Sequence, residues 1–293
     1  MTAAARRRHA LPYLLAGIPI LVLGALVAYP LLYTVALSVR DYRSGDFIGA
    51  GNFARAFDDP TFAASLRATG LYVATAVGVE VVLGLALALY VHRAIPSGAV
   101  RTLVYLLLII PMVTPPIVAG VIARLVYTPN YGILNYLLRS LGLIEQDILW
   151  LSTGAGAMFS VLSVDVWQWT PFVFLVCFAG LQAVPHDVVE AARVDGAGGW
   201  GLFRLIEFPY LKSLVLLLLV FRFTDTFRVF DHVMVLTAGG PGTSTEFVSV
   251  YLYRIAFKFF DLGYAAAIGL YVVVVSSVLF SVLGRWLVAE GVM

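Results

Sequence analysis

The chain has 293 residues, a net charge of +2, 61% apolar residues and only 12% charged ones. Soluble globular chains carry about 25% charged residues; half of that cannot cover a water-facing surface, so most of this chain faces lipid. A span needs about 20 apolar residues, which leaves room for roughly six in one membrane domain, and the single cysteine, Cys177, excludes an internal disulfide or a Cys-rich metal site and reads as a packed core thiol.

The basic segment 1–10, with Arg6-Arg7-Arg8-His9, precedes an apolar run over 11–39. That run is too long for the core of a cleaved signal peptide, and no small-x-small cleavage site follows it. It reads as a retained signal anchor with the N-terminus in the cytoplasm, opening a membrane domain over 11–293. Apolar stretches at 66–91, 101–126, 155–181, 211–236 and 264–288 bring the predicted spans to six, all α-helical, and return the C-terminus to the cytoplasm. Lys and Arg are nearly balanced between the two sides, so the orientation rests on the first Arg cluster.

The connections differ in kind. The polar loop 40–65 falls outside and the short turn 92–100, with Pro96 and Gly98, inside. The loop 127–154 opens on the turn signal Tyr127-Thr128-Pro129-Asn130-Tyr131-Gly132 and holds an apolar stretch suited to the interface. Outside again, 237–263 opens on Gly239-Gly240-Pro241-Gly242.

The long inside loop, 182–210, carries most of the information. Pro185 and Asp187 suit a helix start, His186 to Val194 is helix material, and Asp195-Gly196 breaks it. Trp200 to Phe208 forms a second amphipathic stretch that Pro209 is expected to end. Two short amphipathic helices on the cytoplasmic face, over about 184–209, either dock into a partner or lie on lipid.

Glu190-Ala191-Ala192, three residues, Gly196, nine residues, then Ile206-x-Phe208-Pro209 resembles the EAA loop of ABC-importer permeases, with Phe208 where Leu is usual. Leu236-Thr237-x-Gly239-Gly240-Pro241 with Thr245 and Tyr253-x-x-x-Phe257, Phe227-Arg228-Val229-Phe230-Asp231, Tyr29-Pro30 with Ser38, and Gly49-x-Gly51-Asn52-Phe53 resemble maltose-type sugar permeases, the F-type half in particular. The resemblance covers nearly the whole chain. It implies a type I ABC importer permease fold with six transmembrane helices in a bacterial inner membrane, and no enzymatic activity. It implies an ATPase-coupling role for Glu190, Ala191, Ala192, Asp195, Gly196, Ala197, Phe203, Ile206 and Pro209. The implied partners are a homologous second permease, two cytoplasmic ATPase subunits that bind ATP-Mg, and an extracytoplasmic solute-binding protein. No cofactor is expected in this chain.

Polar residues inside spans point to a site. Asp165, Gln168, Trp169 and Phe172 share one helix face by their spacing, as do Arg222, Asp225, Thr226 and Val229. Carboxylates, an amide and a guanidinium can satisfy sugar hydroxyls, and a ring can stack on a pyranose. By the resemblance these positions match sugar contacts of the maltose permease. Two alternatives stand beside this: Arg222–Asp225 and Arg228–Asp231 pair only with each other, and Glu80, alone in the second span and facing Gly84, is structural. Tyr72, Tyr90, Tyr105, Tyr136, Trp150 and Trp286 read as interfacial belt residues.

Other chemistries find little support. Gly196-Ala197-Gly198-Gly199-Trp200-Gly201 matches G-x-G-x-x-G but follows a helix rather than a strand, and no G-x-x-x-x-G-K-[ST] loop occurs. His9, His92, His186 and His232 lack metal-ligand spacing, and no nucleophile elbow is present. An ion- or proton-coupled carrier using Glu80, Asp165 and Asp225 is the main rival, and it would need no EAA loop. The expected cargo is a sugar-like solute: an oligosaccharide, polyol or glycerol phosphate.

Overall fold

A computed structural model of the chain describes residues 3–95 and 98–289. Pro96 and the side chains of Arg6 to His9 and Trp286 lie outside the described residues, so the side chains behind the orientation expectation are not described. The described chain is helical, with one isolated antiparallel bridge between Arg40 and Phe47.

The chain divides into two units. In the unit of residues 1–59 and 252–273, α1 (Ala3–Ser38) carries an apolar stretch, Pro19–Ser38, long enough to cross a membrane. The amide of Asn52, at the start of α2 (Gly51–Asp58), donates 2.9 Å bonds to the carbonyls of Ser38 and Arg40. Those carbonyls sit at the end of α1, where no helical partner remains, which explains the Asn in the Gly-Asn-Phe run. Arg55 pairs with Asp261 at 2.7 Å and lies over the Tyr264 ring, whose hydroxyl donates to Asp59 at 2.6 Å.

In the unit of residues 60–251 and 274–293, the helices are α3 (Pro60–Ala94), α4 (Ala99–Val113), α5 (Pro116–Tyr127), α6 (Ile133–Ser140), α7 (Gly154–Gln182), α8 (His186–Val194), α9 (Gly199–Leu202), α10 (Phe208–Thr226) and α11 (Asp231–Leu236). α12 (Val248–Tyr253) and α13 (Leu262–Ala289) each begin in one unit and end in the other. The core lies where α3, α7 and α10 meet, around Val91, Phe174, Cys177, Phe178 and Leu211. Gly84 is required there: a Cβ would fall 2.7 Å from the Val173 Cβ and 3.0 Å from the Phe174 backbone nitrogen. Cys177 is fully buried, as expected.

The six predicted spans are realised unevenly. Among the described residues, four helices are long and apolar enough to cross a membrane, and a bent pair adds a fifth if it counts as one span. That pair is α4 and α5, which replace the continuous span expected at 101–126 and meet at 97°. Pro115-Pro116 is the cause. A proline pushes the residue before it out of the helical region, and Thr114 is extended at φ −66°, ψ 124°.

The stretch 211–236 also breaks. α10 ends at Thr226, residues 227–230 turn, and α11 begins at Asp231. No Pro or Gly marks the place. In a continuous helix, three-residue steps would wind Arg222, Asp225, Arg228 and Asp231 round to opposite faces; with the break, Asp225, Arg228 and Asp231 all line one cavity.

Pro209 does not end the second helix of the 184–209 stretch. Residues Phe203–Glu207 widen into a π-helical step, Phe208 donates its N–H to the Phe203 carbonyl, and the chain runs on into α10. The five-residue register carries the helix past Pro209, which has no N–H to give.

Among the expected belt residues, Tyr90 and Tyr136 are exposed. Tyr72 is instead fully buried against Phe247, Trp150 donates to Asn135 Oδ1 at 2.9 Å, and Tyr105 packs on Phe174 and Phe178.

A candidate solute cavity and a bare docking loop

The two helix breaks face each other across a cavity of about 290 Å³, near the low end of the usual range for small-molecule sites of about 300–1,000 Å³. Irregular backbone at membrane depth persists only where it is buried in protein or lines a cavity. Both breaks are stitched by side chains: Gln168 Nε2 donates to the Thr114 carbonyl at 2.6 Å, and Ser249 Oγ donates to the Val229 carbonyl.

Six of the eight expected solute-facing residues line this cavity: Asp165, Gln168 and Trp169 from α7, Asp225 and Thr226 from the end of α10, and Val229 from the turn. Val229 arrives there although the helix has already ended. Phe172 does not line the cavity; one turn on from Trp169, it packs against the ring of Phe221 with centroids 5.4 Å apart. Arg222 is also absent from the lining. Pro116, Arg228, Asp231 and His232 line the cavity in addition.

Arg222 lies behind the wall, with 0% exposure. Its Nε and Nη2 grip both oxygens of Glu80 at 2.7 and 2.8 Å, Nη1 reaches Asp225 at 2.8 Å, and Nη2 reaches Asp165 at 3.3 Å. The Trp169 ring covers the guanidinium at 4.4 Å, a stacking that gains strength when desolvated. Glu80 is therefore not alone, and the expected Arg222–Asp225 pair is one contact of a four-residue cluster. Sequence reading could not join Glu80 to it, because a position in α3 says nothing of its neighbour in α10. Arg228 and Asp231 are exposed and form no ion pair with each other.

His232, buried, meets the Tyr72 hydroxyl at 3.2 Å, joining α11 to α3. Gln168 Oε1 and Thr226 Oγ1 are buried without a partner among the described residues, although both residues line the cavity. Buried polar atoms are nearly always paired, so these two orphans, in residues that line one cavity, are unused hydrogen-bonding capacity next to it. Among the described residues no His, Cys, Asp and Glu group fits a metal ion.

At the opposite end of α10, α8 buries none of its residues. Val194, Trp200 and Leu205 are 87%, 73% and 68% exposed, a run of apolar side chains with nothing over it. Glu190 is exposed and meets only His186, at 3.1 Å, while Ala191, Asp195 and Gly196 are open and Ala192 and Ala197 partly covered. Gly196 takes φ +83°, as the turn between two helices demands. Phe203 lies between Trp200 and Phe208, and Ile206 is half-buried. The extended loop after α11 is tied by Thr245, which meets Thr237 at 2.7 Å and donates to the Gly240 carbonyl at 2.8 Å.

Comparisons with known proteins agree with this architecture. The family model described as binding-protein-dependent transport system inner membrane component matches residues 80–289. A probable ABC transporter permease of Sinorhizobium fredii, y4oQ, is 38% identical over 267 residues, 90% of this chain and 84% of its own length. The trehalose/maltose transport system permease MalF of Thermococcus litoralis is 36% identical over 218 residues, 74% of this chain and 70% of its own. The trehalose transport system permease SugA of Mycobacterium tuberculosis is 34% identical over 273 residues, 91% and 85%. In fold, a chain of a bacterial alginate ABC transporter crystallised with its periplasmic protein superposes with a TM-score of 0.84 at 21% identity, covering 95% of this chain and 94% of that one. This chain belongs to the family of binding-protein-dependent transport system inner membrane components, the permeases of ABC importers.

Proposed function

We propose that the chain is one half of the transmembrane pore of an ATP-driven importer for a sugar or sugar-like solute, handed over by an extracytoplasmic binding protein and left chemically unchanged. Its partners are a homologous second permease and two ATPase subunits, which hold the ATP-Mg. The bare apolar loop 184–209 docks onto the ATPases, through Glu190, Ala191, Ala192, Asp195, Gly196, Ala197, Phe203, Ile206 and Pro209. Six crossings leave both termini in the cytoplasm.

The observation that carries the reading is the cavity at the two breaks, with its orphaned Gln168 and Thr226 oxygens beside the Trp169 ring. A polyhydroxylated solute supplies donors and acceptors to those atoms and an apolar ring face to the indole. Asp165, Gln168, Trp169, Asp225, Thr226 and Val229 contact the solute; Arg222 and Phe172 support them from behind. Arg222 is engaged by three carboxylates, and Arg228 shares the lining with Asp165, Asp225 and Asp231, so the cavity favours a neutral oligosaccharide or polyol over a glycerol phosphate. The trehalose and maltose named for two relatives fit that description. An ion-coupled carrier would need Glu80, Asp165 and Asp225 free to take a cation, and each faces Arg222.

The test is uptake of trehalose and of maltose by the complete assembly in proteoliposomes. ATP-dependent uptake that requires the binding protein is expected. Uptake that runs on a proton gradient without ATP would overturn the reading.

A further inference from the structure

The segment 199–226 runs antiparallel to α3, and two ion pairs tie the two together. Arg93, at the end of α3, holds Glu207 at 2.5 Å; Glu80, in the middle of α3, holds Arg222 at 2.7 Å. On α3 the two anchors are about 20 Å apart along the axis, and on the opposing segment about 22 Å, at 1.5 Å per residue. The near-equal separations let both pairs form at once. The charges are exchanged between them: α3 gives the acid in the membrane and the base at the cytoplasmic end, and the opposing segment does the reverse.

Glu207 is buried, and it closes the π-helical step that also carries the exposed Leu205, just after the exposed Trp200. Arg93 also reaches over the start of that segment: a Cβ on Gly199 would lie 3.5 Å from its Nη1. Two helices pinned once can pivot about the pin. Pinned twice, about 20 Å apart, they cannot slide or tilt without parting a charge pair. The upper pin continues through Arg222 to Asp165 and Asp225 on the cavity wall.

We infer that Arg93 and Glu207 are positioning residues of the transport cycle: their pair makes α3 follow the docking loop, so that a displacement made at the ATPases reaches the cavity wall through Glu80 and Arg222. The inference rests on the importer reading above and adds to it the route of the motion. Arg93 touches neither the cavity nor the exposed face of the loop.

The test uses the complete importer in lipid nanodiscs with a reporter thiol, Val229→Cys, in the cavity; Cys177 is buried and silent. The maleimide labelling rate is read without nucleotide and after trapping with MgATP and vanadate. No transported solute is needed. In the otherwise unaltered chain, nucleotide should change the rate by at least about tenfold, as expected when a two-state population moves. Arg93→Glu should reduce that change to under about twofold while the ATPases still hydrolyse ATP, and Arg93→Glu with Glu207→Arg should restore it. Should Arg93→Glu fail to assemble, Arg93→Gln, which keeps a hydrogen bond and loses the charge, should show the same loss in milder form. A full nucleotide response in the single variants, or no recovery in the exchanged pair, overturns the inference. No nucleotide response in the unaltered chain would instead strike at the importer reading itself.

Discussion

Arg222 and Glu80, 142 residues apart in the chain, meet through two parallel hydrogen bonds of 2.7 and 2.8 Å, with neither side chain exposed. A bidentate guanidinium–carboxylate pair is the strong geometry for opposite charges, and burial makes its halves mutually dependent. Arg222→Met alone leaves three carboxylates facing one another and should cost about 3–5 kcal/mol. Adding Glu80→Leu removes the deepest of those charges and should recover most of the loss. Thermal melting of the purified assembly reads both; equal losses in the single and double variants would mean that Glu80 is not the group left uncompensated.

The exposed loop 184–209, proposed to dock on the ATPases, offers a backbone test. Gly196 sits at φ +83°, and a Cβ there would meet nothing within 4 Å. A substitution is therefore strained by its backbone alone, by roughly 1–2 kcal/mol for a residue that resists the left-handed region. Gly196→Asn, which tolerates that region, should keep most of the ATP hydrolysis stimulated by the binding protein. Gly196→Val should lose most of it while membrane insertion is unchanged. Equal stimulation in both would show that the turn geometry is not used in docking.

At the cavity, Thr226→Val removes a buried hydroxyl that has no partner among the described residues. Assembly should be unaffected, because no internal hydrogen bond is lost. If the hydroxyl serves the solute, the apparent KM for uptake should rise roughly tenfold, about one hydrogen bond's worth. An unchanged KM would remove Thr226 from the site. Trp169→Phe should transport better than Trp169→Ala, since it keeps a ring for the solute and for Arg222.

Close approach of α3 and α7 gives a stability prediction. Gly84→Ala drives a methyl into Val173 and into the Phe174 backbone, and overpacking of this kind costs about 1–3 kcal/mol. The measured quantity is the melting temperature of the assembly, which should fall. Gly84→Ala combined with Val173→Ala should regain part of the loss.

What the sequence revealed followed from local period and composition. The face Asp165, Gln168, Trp169 was legible because three residues at helical spacing stay together in any helix. The loop 184–209 was legible because its Glu-Ala-Ala and Gly positions define a turn between two amphipathic helices. Phe172 shares that helix face by period, yet in the fold it packs on Phe221 and is not part of the cavity lining. The break at 227–230 was hidden because Val229 and Phe230 continue an apolar run without Pro or Gly; turn bonds from Arg228 and Val229 back to Asp225 and Thr226, and a distant partner, Ser249 on the Val229 carbonyl, satisfy its backbone. Glu80, read as structural but alone, and Tyr72, read as a belt residue, lacked their partners for a related reason. Each takes its meaning from a residue far along the chain, Arg222 and His232 respectively.

The paired interruptions have a mechanical consequence. α5 and α11 pack on each other, and each is already severed from the helix before it, at Thr114 and at 227–230. A rotation of that pair about the line joining the two interruptions would break no rung of any helical ladder. Its resistance would come from packing on α7 and from side-chain tethers, among them Gln168 to Thr114, Tyr127 to Ser163 and Tyr72 to His232. The cavity thus has one wall built like a door leaf, hinged at both jambs, beside a frame of α3, α7 and α10 that is braced by charge.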